Sequence, residues 1–166
     1  MNFLAHVLVA AESGDGTPEA ALGAALPDLA RMAGVRFDRD ALPPLVRQGI
    51  DSHHRADSCF HADRTFLTGA EALRSAGRRR GLPVGASRAV GHAGWELLLD
   101  GALLGVPELV DRFLAATDCA DTVVPTLDPA DRASWAGLVA SLRTDRWWLR
   151  YDEPALVAES LFRMVR

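Results

Sequence analysis

Two pairs of side chains have the types and spacing of metal ligands. His53 and Asp57 are four residues apart, and His92 and Glu96 repeat that spacing. On an α-helix, residues four apart project from one face, so the two side chains of each pair can ligate one cation or bind each other. Imidazole nitrogens and carboxylate oxygens without a thiolate favour manganese, iron, magnesium or zinc. The alternative is an ordinary surface contact within each pair.

Asp28 is a carboxylate on what should be the apolar side of its helix. It follows Leu26 and Pro27 and precedes Leu29. An unpaired charge in such surroundings is costly, so Asp28 requires a partner. The partner is predicted to be a metal ion or a histidine, or else a salt bridge to Arg31 or Arg55.

The elements that must position these residues have helical spacing. Apolar residues recur at three- and four-residue steps over 18–33, which predicts an amphipathic helix that begins near Thr17 and is interrupted or kinked near Pro27. A second long helix begins at Pro43 and Pro44. The apolar amino terminus predicts a buried first helix, and further helices are predicted at about 62–76, 84–104, 106–117, 129–142 and 152–165. The pattern indicates one all-α domain, a bundle of about seven helices joined by short loops.

Composition excludes several classes of protein. The 166 residues, 49% of them hydrophobic, can bury a core without disulfides, and the two cysteines Cys59 and Cys119 fit a reducing cytoplasm. No apolar run is long enough for a membrane span, and the amino terminus lacks the basic region of a signal peptide. A net charge of −4, with arginine as the only basic residue type, argues against nucleic-acid binding.

Five segments carry a combination of motifs, and they are 1–6, 22–28, 49–57, 148–151 and 161–164. Together these segments resemble the acyl carrier protein phosphodiesterases. The resemblance implies an all-helical, HD-domain-like, metal-dependent phosphohydrolase that usually uses manganese. It also implies the reaction, which releases 4′-phosphopantetheine from the serine of holo acyl carrier protein. The expected partner is therefore acyl carrier protein or another phosphopantetheinyl substrate.

The resemblance also implies a set of site residues. Four positions match the family's motifs without change, namely His6, Asp28, His53 and Asp57, and they are expected to bind the metal. Glu96 and His92 stand where the family tends to have aspartates, and they complete the expected ligand set.

Departures from the family pattern follow the first His/Asp pair. The family tends to read Phe-Thr-Asp-x-His-Pro, whereas His61 and Asp63 exchange the imidazole and the acid. His61 and Asp63 are candidate catalytic groups, together with Asp28. Arg55 is a fourth candidate because its guanidinium could hold a phosphate oxygen, although a salt bridge to Asp51 would also explain it.

Three functions remain open at this point. The first is the phosphodiesterase reaction. The second is a diverged metalloenzyme on the same scaffold, which catalyses oxidation, cyclisation or elimination of a small or carrier-bound substrate. The third is a non-catalytic helical protein that binds a carrier protein. Two further features have both a functional and a structural interpretation. Arg78-Arg79-Arg80 could recognise an acidic partner or form a solvated loop. Trp147 and Trp148 could line a pocket or fill the core.

Overall fold

The computed structural model describes residues 3–14 and 16–164, which contain eight α-helices, three short 3₁₀ helices and no strand. The α-helices are α1 (Phe3–Glu12), α2 (Pro18–Ala33), α3 (Pro44–Ala62), α4 (Arg64–Arg79), α5 (Val84–Leu103), α6 (Pro107–Asp118), α7 (Arg132–Thr144) and α8 (Pro154–Met164). The predicted all-α class is confirmed, with eight helices where about seven were expected. Met1 and Asn2 of the first motif, and position 165 of the last predicted helix, lie outside the described residues. None of the described helices is long and apolar enough to cross a membrane.

Helix α2 has strong signals at both ends. The Thr17 side chain accepts a hydrogen bond from the Ala20 N–H, and Gly34 ends the helix in the left-handed region at φ 68°. Helix α2 is continuous through Pro27, so the predicted interruption there is wrong, while the alternative of a kink stays a prediction. Most of α2 is buried, and this tertiary packing outweighs the cost of about 3 kcal/mol for a proline within a helix.

Helices α2 and α3 touch through their backbones. A Cβ atom added to Gly23 would overlap the carbonyl oxygen of Val46, and one added to Gly49 would overlap that of Ala20. Only glycine permits so close an approach at these two positions. The approach brings the His53 ring within hydrogen-bond distance of α2, where its Nδ1 lies 2.8 Å from the carbonyl oxygen of Ala24.

Helix α1 is held at its beginning by a buried carboxylate of α5. Asp100, which is 1% exposed, accepts hydrogen bonds of 3.1 Å from the backbone N–H groups of Leu4 and Ala5. These N–H groups have no partner within their own helix, so the carboxylate caps α1 from another part of the chain. Burial raises the pKa of Asp100 to about 7, although the two N–H groups oppose that rise.

Aromatic side chains pack the other side of α1. The Phe3 ring stacks on Phe113 at 5.4 Å between centroids, and Trp148 meets Phe113 edge-on at 4.9 Å. Trp148 is fully buried and its Nε1–H donates to the carbonyl oxygen of Leu142 at 2.9 Å. Trp148 therefore belongs to the core, while Trp147 is only partly buried and meets Phe3 edge-on.

The backbone contact between α2 and α3 predicts a large effect of adding one methyl group. We expect Gly49→Ala to lower the free energy of unfolding by about 1–3 kcal/mol or more, because a backbone carbonyl must move to admit the new Cβ. The matched control is Gly137→Ala in α7, where the Cβ would meet nothing and helix propensity should add about 0.5–1 kcal/mol. Urea unfolding measures both. Equal effects at the two positions would contradict the close contact.

The buried carboxyl of Asp100 predicts a distinctive pH dependence of stability. Its pKa is about 7 when folded and 3.8 in the reference state. The stability that this shift contributes is therefore fully present below pH 3.8 and is lost as the pH rises through about 7. Relative to Asp100→Asn, the free energy of unfolding of the metal-free wild type should fall by about 2 kcal/mol between about pH 5.5 and about pH 8. Urea unfolding across this range tests it, and parallel pH profiles would contradict it.

Candidate metal centre

Three helices bring four of the predicted ligands together. His6 comes from α1, Asp28 from α2, and His53 and Asp57 from α3, and these four residues are called the first cluster. His6 Nε2 lies 3.2 Å from Asp57 Oδ1 and 3.7 Å from Asp28 Oδ2, and His53 Nε2 lies 3.5 Å from Asp57 Oδ2. The two imidazole rings stack at 3.7 Å between centroids. The donor atoms thus face one another across the helix interface.

His53 is oriented as a metal-binding histidine would be. Because a carbonyl oxygen only accepts, the 2.8 Å contact with Ala24 means that Nδ1 carries the hydrogen. The lone pair then lies on Nε2, the atom that faces Asp57. Burial and the neighbouring His6 lower the pKa of His53 to about 4, so the ring is neutral near pH 7.

Buried polar atoms in the first cluster have no hydrogen-bond partner. Within the described part of the chain, His6 Nδ1, His6 Nε2 and Asp28 Oδ2 have no partner in hydrogen-bond geometry, although His6 Nε2 lies close to the Asp57 carboxylate. Both residues are buried, and leaving such atoms unsatisfied costs about 1–3 kcal/mol each. A divalent cation bound to His6 Nε2 and Asp28 Oδ2 would satisfy an atom of each residue, so the donor set fits a metal ion.

The surroundings shift the pKa values of the two carboxyls of the first cluster in opposite directions. Burial raises the pKa of Asp28, although His6 and Arg31 oppose the rise. Arg31 Nη2 donates to Asp28 Oδ1 at 2.8 Å, and this pair is one of the partners that the sequence predicted. For Asp57, burial also favours the neutral acid, but nearby His6 helps to hold the pKa of this carboxyl well below its usual range.

A second group of donors lies between α3 and α5. His61 Nε2 is 3.0 Å and His92 Nε2 is 3.1 Å from the same oxygen, Oε1 of Glu96, and these three residues are called the second cluster. Although burial opposes it, hydrogen bonds from both histidines help to lower the pKa of Glu96 to about 2. The Glu96 hydrogen bond in turn raises the pKa of His92. Glu96 is therefore a buried anion with imidazoles around it.

The two clusters open on the same cavity. This cavity of about 310 Å³ is lined by Asp28 and Arg31 on one side and by His92 and Glu96 on another. Its apolar wall includes Phe3, Met32, Leu97 and Tyr151. The sequence grouped His92 and Glu96 with the first cluster; in the structure they form a separate group with His61.

Two predicted catalytic residues do not join either cluster. Asp63 is exposed, and its Oδ1 accepts a hydrogen bond of 2.7 Å from the Thr65 N–H, so it caps α4. Arg55 is also exposed and shares with Asp63 a different cavity, of about 450 Å³. The proposed salt bridge from Arg55 to Asp51 is absent from the described ion pairs, in which Asp51 binds Arg39 at 2.6 Å.

The sequence interpretation missed one residue that positions the first cluster. Asp100 holds the beginning of α1, two residues before His6, and had no assigned role. The spacing could have indicated a role for Asp100 near the site, because this residue lies four residues after Glu96 on the same helix face.

Comparison with known families gives one match, which covers the amino-terminal half of the chain. Residues 1–83 match the family model described as acyl carrier protein phosphodiesterase. No curated protein and no solved structure matches the chain. The matched half contains helices α1 to α4, with the whole first cluster and His61. This chain belongs to the acyl carrier protein phosphodiesterase family.

Proposed function

We propose that this chain is a divalent-metal-dependent phosphodiester hydrolase that releases 4′-phosphopantetheine from the serine of holo acyl carrier protein in the cytoplasm. One observation carries the proposal: ligand atoms of His6, Asp28 and His53, from three helices, lie within 4.8 Å of one another, and buried atoms of His6 and Asp28 lack a hydrogen-bond partner among the described residues. Membership of the family supports the carrier-protein substrate. We also propose the HD-like arrangement that the resemblance implies.

The first cluster is the proposed metal site. His6, Asp28, His53 and Asp57 would hold the ion, and their nitrogen and oxygen donors suit manganese first, with iron, magnesium or zinc as alternatives. A cation bound there would neutralise charge that develops on the phosphodiester and would lower the pKa of a bound water. The Ala24 carbonyl keeps the His53 ring in its binding orientation.

Arg31 takes the role that the sequence gave to Arg55. It is anchored to Asp28 at the cavity while its side chain stays 74% exposed. A guanidinium in that place can donate to a phosphate oxygen and to the carboxylate at once, since it carries five N–H groups. We therefore assign phosphate binding to Arg31.

The shared cavity suits a phosphate joined to a largely apolar arm. Charged residues line one part of it, whereas Phe3, Leu97 and Tyr151 line another. The phosphodiester would lie at the charged part, and the pantetheine arm would lie along the apolar wall. An acidic carrier protein would be attracted by the exposed arginines 78–80 at the end of α4, of which Arg78 pairs with Glu71.

The proposed reaction predicts a mass change in the carrier protein. Metal-free enzyme supplied with manganese should convert holo acyl carrier protein to its apo form, as measured by intact-protein mass spectrometry. Asp28→Asn should slow the conversion by about 100-fold or more, because it removes a charged ligand without changing the shape of the side chain. The control is Asp121→Asn, the same change at an exposed aspartate outside both clusters, which should retain the wild-type rate.

An unchanged holo mass with manganese, iron, magnesium and zinc, in a protein that binds the metal, would contradict the phosphodiesterase proposal. The diverged metalloenzyme would then be favoured. One observation supports that second candidate: two histidines bind Glu96, at positions where the chain departs from its family's pattern.

A further inference from the structure

The second cluster has the geometry of a ligand set in its own right. Two imidazoles from different helices converge on one carboxylate oxygen, at 3.0 Å for His61 and 3.1 Å for His92. Their ring centroids are 4.7 Å apart and the rings are inclined by 45°. The three donor atoms all lie within 4.8 Å of one another. The arrangement thus presents two nitrogens and an oxygen to a common point.

These separations are those of neighbouring ligands on a metal ion. Two donor atoms about 2.1 Å from one cation, bound at right angles, lie about 3 Å apart, and a tetrahedral angle widens this to about 3.4 Å. The nitrogen–oxygen distances of 3.0 and 3.1 Å fall in that range. To replace the hydrogen bonds by metal–ligand bonds, the two imidazoles would turn from the carboxylate oxygen towards the cation.

We propose that His61, His92 and Glu96 form a second divalent-cation site, separate from the first cluster. Two histidines and one carboxylate are a donor set that suits zinc in catalytic sites. The inference goes beyond the proposed function, because it stands whether or not the chain acts on a carrier protein. It also divides the six predicted ligands between two sites, four in the first cluster and two in the second, where His61 joins them.

The exposure of the three side chains fits a site with open positions. Glu96 is buried and fixes the site to α5, whereas the side chains of His61 and His92 are 31% and 51% exposed. Structural zinc sites are closed by four protein ligands, while sites that bind substrate keep a position for water. A site with three protein ligands, two of them partly exposed histidines, belongs to the second kind.

The surroundings of His92 indicate the charge of the molecule that would reach this cation. His92 lines the cavity shared with Asp28 and Arg31, and it also lines a second cavity of about 430 Å³ with Arg74 and Arg88. Each cavity therefore places arginine near the second cluster. An anionic group such as a phosphate oxygen is the ligand that both arginines and a cation would attract.

Zinc binding by the metal-free protein tests the proposal. Calorimetric titration and the zinc retained after desalting should give two equivalents for the wild type. His61→Ala, His92→Ala and Glu96→Gln should each retain one equivalent, and so should Asp28→Asn, which damages only the first cluster. The matched control, Asp121→Asn at an exposed position outside both clusters, should retain two. Far-UV circular dichroism and a cooperative melt of each metal-free variant verify that it is folded.

The pattern of losses separates this proposal from the proposed function. One equivalent in the wild type, lost in Asp28→Asn and kept in His92→Ala, would overturn the second site and leave the first. One equivalent kept in Asp28→Asn and lost in His92→Ala would support the second site and overturn metal binding by the first cluster. A wild type that binds no zinc, manganese, iron or magnesium would overturn both.

Discussion

The structure depends on the backbone contact between α2 and α3. Because Gly23 and Gly49 have no Cβ, the two helices approach until the main chain of one touches the other. The Ala24 carbonyl then reaches the His53 ring, and Asp28, one turn further along α2, comes level with the first cluster. A wider interface would separate the proposed ligand of α2 from those of α3. The two glycines are therefore a requirement of the site as well as of the packing.

Helix α5 connects the two clusters and α1 through one face. Glu96 and Asp100 lie one turn apart on this helix, and both are buried carboxylates. Asp100 satisfies the backbone at the beginning of α1 and so helps to place His6, while Glu96 collects His61 and His92. Hydrogen bonds from the two imidazoles help to keep Glu96 charged, whereas burial raises the pKa of Asp100 to about 7 and favours its neutral form, although the two backbone N–H groups oppose that rise. Moving α5 would disturb both clusters at once.

Local structure could be predicted from the sequence, whereas contacts between side chains of distant helices could not. Three- and four-residue periodicity predicted the helices, and i, i+4 spacing placed His53 with Asp57 and His92 with Glu96. The spacing does not indicate which pairs share a site, because the grouping of pairs depends on contacts between distant helices. The cap at Asp63 was predictable in principle, because an acidic residue directly before a helix commonly caps it. His6 was identified only through the family resemblance.

The end of α3 at Ala62 explains why His61 lies on the face of the candidate site and Asp63 does not. His53, Asp57 and His61 follow one another at intervals of four, so they lie along one face of the helix. Asp63 follows the helix with extended backbone at φ −70° and ψ 139°, so its side chain does not continue that face. The exchange of acid and imidazole around these positions therefore puts a histidine into the site and leaves Asp63 to begin α4. Glu96 of α5 supplies the carboxylate that His61 contacts. The exchange therefore replaces a carboxylate by an imidazole on this face of α3, and the candidate site keeps a carboxylate from α5.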